Sequence, residues 1–490
     1  MKDFNSFLKT TGEVGYVDEI SHSIVYASGL PGVRLHELVI FENNELGQVL
    51  SLNHQYAEIL LFSKEKLNVG ERVTRTGRHL EFPMGPELLG KTVDPLGRVL
   101  TGEPKTFKPA EYRALDTIPS GITTRTAVTQ PLHTGVSMVD LIVPLGMGQR
   151  ELVIGDRKTG KSVFLMQSVT SQAKLGNICI YCAIGKKTID IRKVEEHFKA
   201  KAILPNTIIV AANALDTTGI SYLAPYAAMS IAEYFRDQGR NVLVIMDDLT
   251  THAKTYREIS LLAKRFPGRS AYPGDIFYTH SRLLERAGNF LFKGKTPVSI
   301  TCMPVAESIL GDLSGYIQTN VMAITDGHIY FDSDLFDQGR RPAVSPFLSV
   351  TRVGKQTQTP LLRDINGELS SFLIKLESLR EFLHFGAELS ESVKRTLELG
   401  DRLINFFSQD PDSVVPINVN ILIITLLWVG AWKGVENDNM KAEMEGLIAK
   451  YYQDANFRKL LDDLVASANK FADIMENVKN NQSQFITRKV

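Results

Sequence analysis

Gly155 to Ser162 read GDRKTGKS, the G-x-x-x-x-G-K-[ST] spacing of a phosphate-binding loop. Glycines let backbone N–H groups curl around phosphate oxygens without steric clash, and Gly155, Asp156, Arg157, Lys158, Thr159 and Gly160 would form that cradle. Lys161 supplies a compact cation for the terminal phosphates and Ser162 a hydroxyl for magnesium, while the helix starting there points its positive dipole end at the anion. The expected ligand is a nucleotide with Mg²⁺. Farther along, the apolar run Val242–Met246 delivers Asp247 to a strand end, where it would hold magnesium through water. Asp248 is placed to cap the next helix. The strand after the loop helix ends in Gly185-Lys186-Lys187, with no carboxylate to activate water. An ammonium cannot accept a proton near neutral pH, so binding without turnover is expected. The alternative is that Lys186 and Lys187 form a solvated loop and the base lies elsewhere. Arg352 follows the apolar stretch Phe347–Thr351. Such an arginine is either a surface charge or structural ion pair, or, in an oligomeric ATPase, the donor to a neighbour's γ-phosphate.

These residues need a sheet behind them. Glu151–Ile154 reads as the strand before the loop and Val163 onward as the helix after it. From about Gly12 to Phe82 short apolar–polar alternations predict a small antiparallel barrel. Between Pro83 and Pro360, apolar runs around Val153 and at Ile178–Ile184, Thr207–Ala211, Val242–Met246 and Val298–Cys302 alternate with helical stretches. Continuous apolar runs imply strands covered on both faces, hence a parallel α/β sheet. After Pro360 the pattern turns helical, as in Ser371–Leu383 and Phe457–Leu464. The expected organisation is a β-barrel at 1–83, a nucleotide-binding α/β domain at 84–360 and a helical domain at 361–490, with the polar end from Val478 to Val490 fraying. Ile421–Trp432 is too short for a bilayer span and reads as a buried helix. Cys179 and Cys182 face opposite sides of a strand, which argues against a redox or zinc pair. Among 490 residues, 55 basic and 55 acidic groups cancel, so no global field draws the protein to nucleic acid. The N-terminus has neither an apolar signal core nor a transit pattern, and an intracellular protein is expected.

Over nearly its whole length the chain resembles the α subunit of the F-type rotary ATP synthase head. The likeness rests on Pro131–Asp140 and Gly146–Arg157, and on Tyr222–Tyr226, Glu233–Asp237, Met246–Leu249, Pro267–Arg269, Ala271–Asp275, His280–Arg286 and Thr319–Gly327 following in the family's order. The resemblance implies a RecA-like central domain in a ring where three α and three β-like catalytic subunits alternate around a central shaft. It implies that the nucleotide is ATP or ADP, that Arg352 completes the neighbour's catalytic site, and that Arg341, Pro342 and Gln409 contact the adenine. Where the β subunit carries a catalytic Glu and α usually Gln, this sequence has Lys186, and Pro411 stands where a second adenine-pocket Gln is usual. Pro267–Asp275 resembles the bearing around the shaft tip. Membrane contact would be indirect, on the inner face of the cell membrane. The barrel pattern starts by Gly12, ahead of which family members carry a helix that docks the peripheral stalk; in this the protein is similar to diverged heads of wall-less bacteria, some associated with gliding or surface machinery. The rivals are a homohexameric protein-export ATPase and an RNA-translocating terminator. Both need a base in every protomer, which Lys186 argues against, and neutral charge argues further against RNA. A nucleotide-sensing scaffold without any part in turnover is the third reading.

Overall fold

The structure, a computed structural model, describes residues 3–62, 67–102, 106–383 and 390–486. Strands β1 (Gly15–Ser21), β2 (Ile24–Ser28), β3 (Glu37–Phe41), β4 (Leu46–Leu52), β5 (Ala57–Leu61) and β6 (Arg72–His79) close into an antiparallel barrel in the order β1-β2-β5-β4-β3-β6. Closure pairs Tyr16 of β1 with Arg72 of β6. Val17, Val25, Val39, Phe41, Val49, Ile59 and Val73 fill the interior, which closure leaves without a free edge. Ahead of the barrel stands a helix that the sequence reading did not place, α1 (Phe4–Thr11). Asp3 caps its start by accepting from the Ser6 N–H at 3.0 Å, and Gly12 closes it in a left-handed turn. Its Phe4 and Phe7 pack on Ile40 of the barrel.

By contacts the protein gathers into two compact units, one of residues 1–126, 173–308 and 312–325, the other of 127–172, 309–311 and 326–490. The first holds the barrel and a mostly parallel sheet. In that sheet Ile178–Lys186 pairs with Thr207–Asn213 on one side and Val242–Asp247 on the other, and Val242–Asp247 pairs with Val298–Glu307, all parallel. The strands read as unbroken apolar runs because they are buried on both faces; helix Thr218–Asp237, itself almost wholly buried, belongs to this layer. The expected strands are present, each a residue or more longer. Cys179, Cys182 and Cys302 are buried and free.

The second unit contains the parallel pair Glu151–Gly155 and Gly327–Phe331, edged by the antiparallel Val350–Thr351. Helices Pro360–Leu383, Glu391–Phe407, Ile417–Trp428, Asn437–Gln453, Ala455–Ser467 and Phe471–Asn480 complete it. Helix Ile417–Trp428 is buried from Val419 to Leu427, as a helix apolar all round must be. Among the described residues no helix is long and apolar enough to cross a membrane. The fraying expected from Val478 is corrected as far as Ile486: Val478 and Phe485 are buried, and Phe485 meets Phe457 edge-on at 6.3 Å, so the polar stretch is held by its few apolar residues. Residues 487–490 lie outside the described residues.

Candidate functional site

In the second unit, the fully buried Leu152, Val153 and Ile154 lead to Gly155, and helix Lys161–Lys174 leaves the loop. The turn between them needs left-handed backbone at Lys158 (φ +66°) and Gly160 (φ +96°); a side chain at Gly160 would meet nothing within 4 Å, so the space above it is open to a ligand. Lys161 Nζ lies 2.7 Å from the Gly155 carbonyl and 2.5 Å from that of Asp156, folded over the loop. Thr159 Oγ1 donates to the Asp156 carbonyl at 2.8 Å, and the Asp156 carboxylate accepts from the Gly311 N–H at 3.0 Å. Arg157, Lys158 and Ser162 are exposed. The loop thus offers helix N–H groups, a lysine and a hydroxyl to an anion, and its residues fit the phosphates of a nucleotide.

Arg341 and Pro342 border a cleft of ≈ 850 Å³ that is also lined by Phe347, Asn405 and Phe407. The Arg341 guanidinium stacks 3.5 Å over Phe336 and donates to the Phe336 and Arg340 carbonyls, both at 2.7 Å. Gln409 is buried, and its amide is occupied by the backbone: Nε2 donates to Gly135 O (2.7 Å) and Ser413 O (2.8 Å), while Oε1 accepts from Ser137 N (3.0 Å). In this conformation it clamps the segment around Pro411 rather than presenting its amide to a base.

Arg352 follows the edge strand, whose Thr351 pairs with Gly327, while Gly155 pairs with Phe331. Four residues of strand separate those two levels, about 13 Å. Arg352 therefore leaves the opposite end of the strands from the protein's own phosphate loop. Its backbone N–H donates to Asp326 O (3.1 Å), and Arg150 holds the Asp326 carboxylate at 2.9 and 3.1 Å. The side chain is exposed, and among the described residues the guanidinium makes no hydrogen bond or ion pair. Beside it, Glu151 is fully buried with Gln149 Nε2 at 2.6 Å; burial pushes its carboxyl well above the usual range.

The first unit holds a cluster that sequence reasoning saw only in part. Lys186 Nζ is 2.7 Å from Asp247 Oδ1 and 3.3 Å from Asp248 Oδ2, and Tyr181 Oη donates to Asp247 Oδ2 at 2.7 Å. The strand's register slips between Ile184 and Lys186, where Gly185 takes φ +62°; the bulge re-aims the lysine. Burial alone would lower the Lys186 ammonium, and the carboxylates of Asp247 and Asp248 more than reverse it, leaving it above the ordinary lysine value. Burial, with Asp247 beside it, pushes the Tyr181 phenol well up. Asp248 is also the helix cap that the sequence suggested, accepting from the Thr251 N–H at 2.6 Å. Lys186 is therefore no solvated loop cation. Tyr181, in the middle of an apolar strand, carried no sequence signal beyond a hydroxyl that burial obliges to find a partner.

Two family models match, the ATP synthase alpha/beta family nucleotide-binding domain over residues 135–351 and the C-terminal domain of the ATP synthase alpha/beta chain over 358–485. The protein is similar to "ATP synthase subunit alpha 2" of Syntrophus aciditrophicus (strain SB), 42% identical over 431 residues, covering 88% of this sequence and 83% of that one. It is 36% identical over 473 residues to "ATP synthase subunit alpha" of Neorickettsia sennetsu (strain ATCC VR-367 / Miyayama), covering 95% and 92%. With the alpha subunit of Aquifex aeolicus (strain VF5) it shares 39% over 427 residues, 86% and 84% of the two sequences.

Proposed function

This chain belongs to the ATP synthase alpha/beta family, and from that premise we propose that it is the non-catalytic, nucleotide-binding alpha-type subunit of a rotary ATPase head. In this reading the phosphate loop holds ATP or ADP, Ser162 and Asp247 are the magnesium candidates, and Arg352 is donated in trans to the catalytic site of a β-like subunit. Three copies alternate with three β-like subunits around a central shaft, at the inner face of the membrane and without touching it directly. The segments 1–83, 84–360 and 361–490 act as collar, nucleotide-binding domain and helical lever.

The observation that carries the reading is the position of Arg352: exposed, without an ion pair among the described residues, and at the far end of the strands from the protein's own phosphate loop. An arginine so placed serves another subunit or nothing. The lysine at the position where water would be activated supports a silent site, because a cation tied to two carboxylates is no base.

The test is ATP turnover by the isolated protein and by the ring assembled with its β-like partner. The isolated protein is expected to be silent and the ring active, with Arg352→Ala in the ring lowering turnover by about 10³ to 10⁵. Undiminished turnover in that variant sinks the trans assignment, and strong turnover by the protein alone points to a homohexameric motor. The shaft that co-purifies tells whether the head serves synthesis or a surface motor such as gliding machinery.

A further inference from the structure

An unsatisfied guanidinium and an unsatisfied carboxyl oxygen lie within each other's field in the second unit. The first is the exposed Arg352, without a hydrogen bond or ion pair among the described residues. The other is Glu151 Oε1, fully buried and without a partner among them. Glu151 lies opposite Gly327, and Gly327 lies opposite Thr351, so the side chains of Glu151 and Thr351 leave one face of the sheet on either side of a residue that has none. The carboxyl fills that gap: a Cβ on Gly327 would stand 2.7 Å from its Oε2 and 2.9 Å from its Oε1. Oε2 accepts from Gln149 Nε2 at 2.6 Å, and the same nitrogen lies 3.3 Å from Thr351 Oγ1, on the residue before the arginine. The other titratable groups facing this corner have partners. Asp326 is held by Arg150, and His328, pushed below the ordinary histidine value by burial, rests on the Leu348 carbonyl at 2.9 Å. What remains is one acid and one guanidinium, each lacking what the other supplies.

We propose that Glu151 is the positioning residue of Arg352: its free oxygen is an inner seat for the guanidinium, which the arginine leaves to meet a neighbouring subunit's phosphate. The inference rests on the reading that Arg352 acts in trans. Burial pushes the Glu151 carboxyl well above the usual carboxylate range, with Gln149 pulling it down, Asp326 raising it and Arg352 lowering it again. A neutral acid does not hold an arginine, which agrees with the outward, unpaired side chain of Arg352. Ionisation makes the same oxygen a charge-assisted acceptor, the stronger for being buried. The O–H gives its proton to solvent as the guanidinium arrives, and the resulting pair carries no net charge. Arg352 is therefore available while Glu151 is protonated, and rising pH draws it inward. An amide at 151 fills the same space over Gly327 but never acquires the charge.

The experiment follows the Arg352 Nε–H of the isolated full-length protein by isotope-edited magnetic resonance, the signal being the one that Arg352→Ala lacks. At the alkaline end of the range in which the protein is stable, this proton is expected to exchange with water at least about tenfold more slowly in the native protein than in Glu151→Gln, the scale of one charge-assisted bond. The two should converge as pH falls. A second measurement leaves position 151 alone: the infrared band of a buried protonated carboxyl should vanish at least about one pH unit lower in the native protein than in Arg352→Ala, since a nearby opposite charge lowers a carboxyl by about one to three units. In the assembled ring, Glu151→Gln should turn over faster than the native ring at alkaline pH, through kcat with KM unchanged. Equal exchange in native protein and Glu151→Gln at every pH overturns the inference. So does an infrared titration indifferent to Arg352, even if Glu151→Gln fails to fold. The trans reading fails separately: slowed exchange in the isolated protein, together with undiminished turnover of the Arg352→Ala ring, would keep the inner seat and remove its counterpart in the neighbour.

Discussion

Gly354 shows how a single residue can position the chemistry two places before it. A Cβ there would stand 1.6 Å from the Pro144 carbonyl, too close for any rearrangement short of moving the backbone. The same carbonyl accepts from Thr351 Oγ1 at 2.9 Å, and Thr351 Oγ1 accepts from the Gly354 N–H at 3.1 Å, so the turn bearing Arg352 is stitched to Pro144 on both sides. Gly354→Ala is predicted to cost about 1 to 3 kcal/mol of stability, the range for overpacking. It should also lower ring turnover by at least about tenfold while the protein's own ATP affinity stays within about threefold. Turnover and binding assays on one preparation separate the two, and normal turnover would mean that the turn does not place the arginine. At this scale the sequence was legible where chemistry is local. The phosphate loop is contiguous, and residues 155–162 form the expected turn between strand and helix. Lys186 was half legible: its charge denied a base, but its partners, Asp247 at the end of the neighbouring strand and Asp248 capping the helix after it, lie far along the sequence, and no local pattern reports a contact between neighbouring strands. Gln409 carries the same lesson, because its partners at Gly135 and Ser137 are distant in sequence.

Among elements, those with a long periodic or apolar pattern were readable and the short ones were not. The parallel strands announced themselves by apolar runs, and the buried helix by Ile421–Trp432, although it ends at Trp428. It begins four residues earlier than its apolar run, at Ile417, and its first turn carries polar contacts: Asn418 Nδ2 donates to Asp462 at 2.6 Å and Asn420 Oδ1 accepts from Ser137 Oγ at 2.7 Å, while the buried Asn420 Nδ2 has no partner among the described residues. Strand Gly327–Phe331 gave no signal, since its Gly-His-Ile-Tyr-Phe run is short and interrupted by a polar ring. Helices Leu249–Leu262 and Ile276–Leu284 illustrate polar pairing that only packing reveals. His252 Nδ1 and His280 Nε2 are 3.1 Å apart in full burial, and His252 Nε2 is 3.1 Å from Tyr222 O. Burial holds His252 down at about 4 and His280, beside it, well below the ordinary histidine value. A histidine lowered on folding is neutral in the native state and takes its proton on unfolding, so stability is complete above the unfolded value near 6.5 and falls as pH drops from there towards the folded value. For His252 the window is about pH 6.5 to 4, at a slope of up to about 1.4 kcal/mol per pH unit. Urea unfolding midpoints across pH 8 to 4 should show this fall, and His280→Leu should shallow it; an identical slope in the variant would place the titration elsewhere.

At the scale of the whole molecule, the phosphate loop and the arginine leave opposite ends of the same strands, and the proposed trans role of Arg352 would call for a ring. If Arg352 acts as proposed, turnover comes only when subunits are arranged so that one subunit's Arg352 meets another subunit's phosphates. That constraint admits both a homohexamer and an alternating ring, and the two respond differently to injury. In a homohexamer every site uses this protein's phosphate loop and this protein's arginine, so Lys161→Ala and Arg352→Ala both abolish turnover. In an alternating ring the catalytic phosphate loops belong to the β-like subunit. Lys161→Ala then empties the silent sites and leaves part of the activity, whereas Arg352→Ala removes charge stabilisation worth about 10³ to 10⁵ in rate. The expected result for the assembled ring is therefore a split: nucleotide retained by the alpha-type subunit but turnover lost in Arg352→Ala, nucleotide lost but turnover partly kept in Lys161→Ala. Counting nucleotides per ring alongside the rate checks both halves at once. Equal and complete loss in the two variants would assign catalysis to this protein's own loop, and Lys186 would then have to be explained as something other than the mark of a silent site.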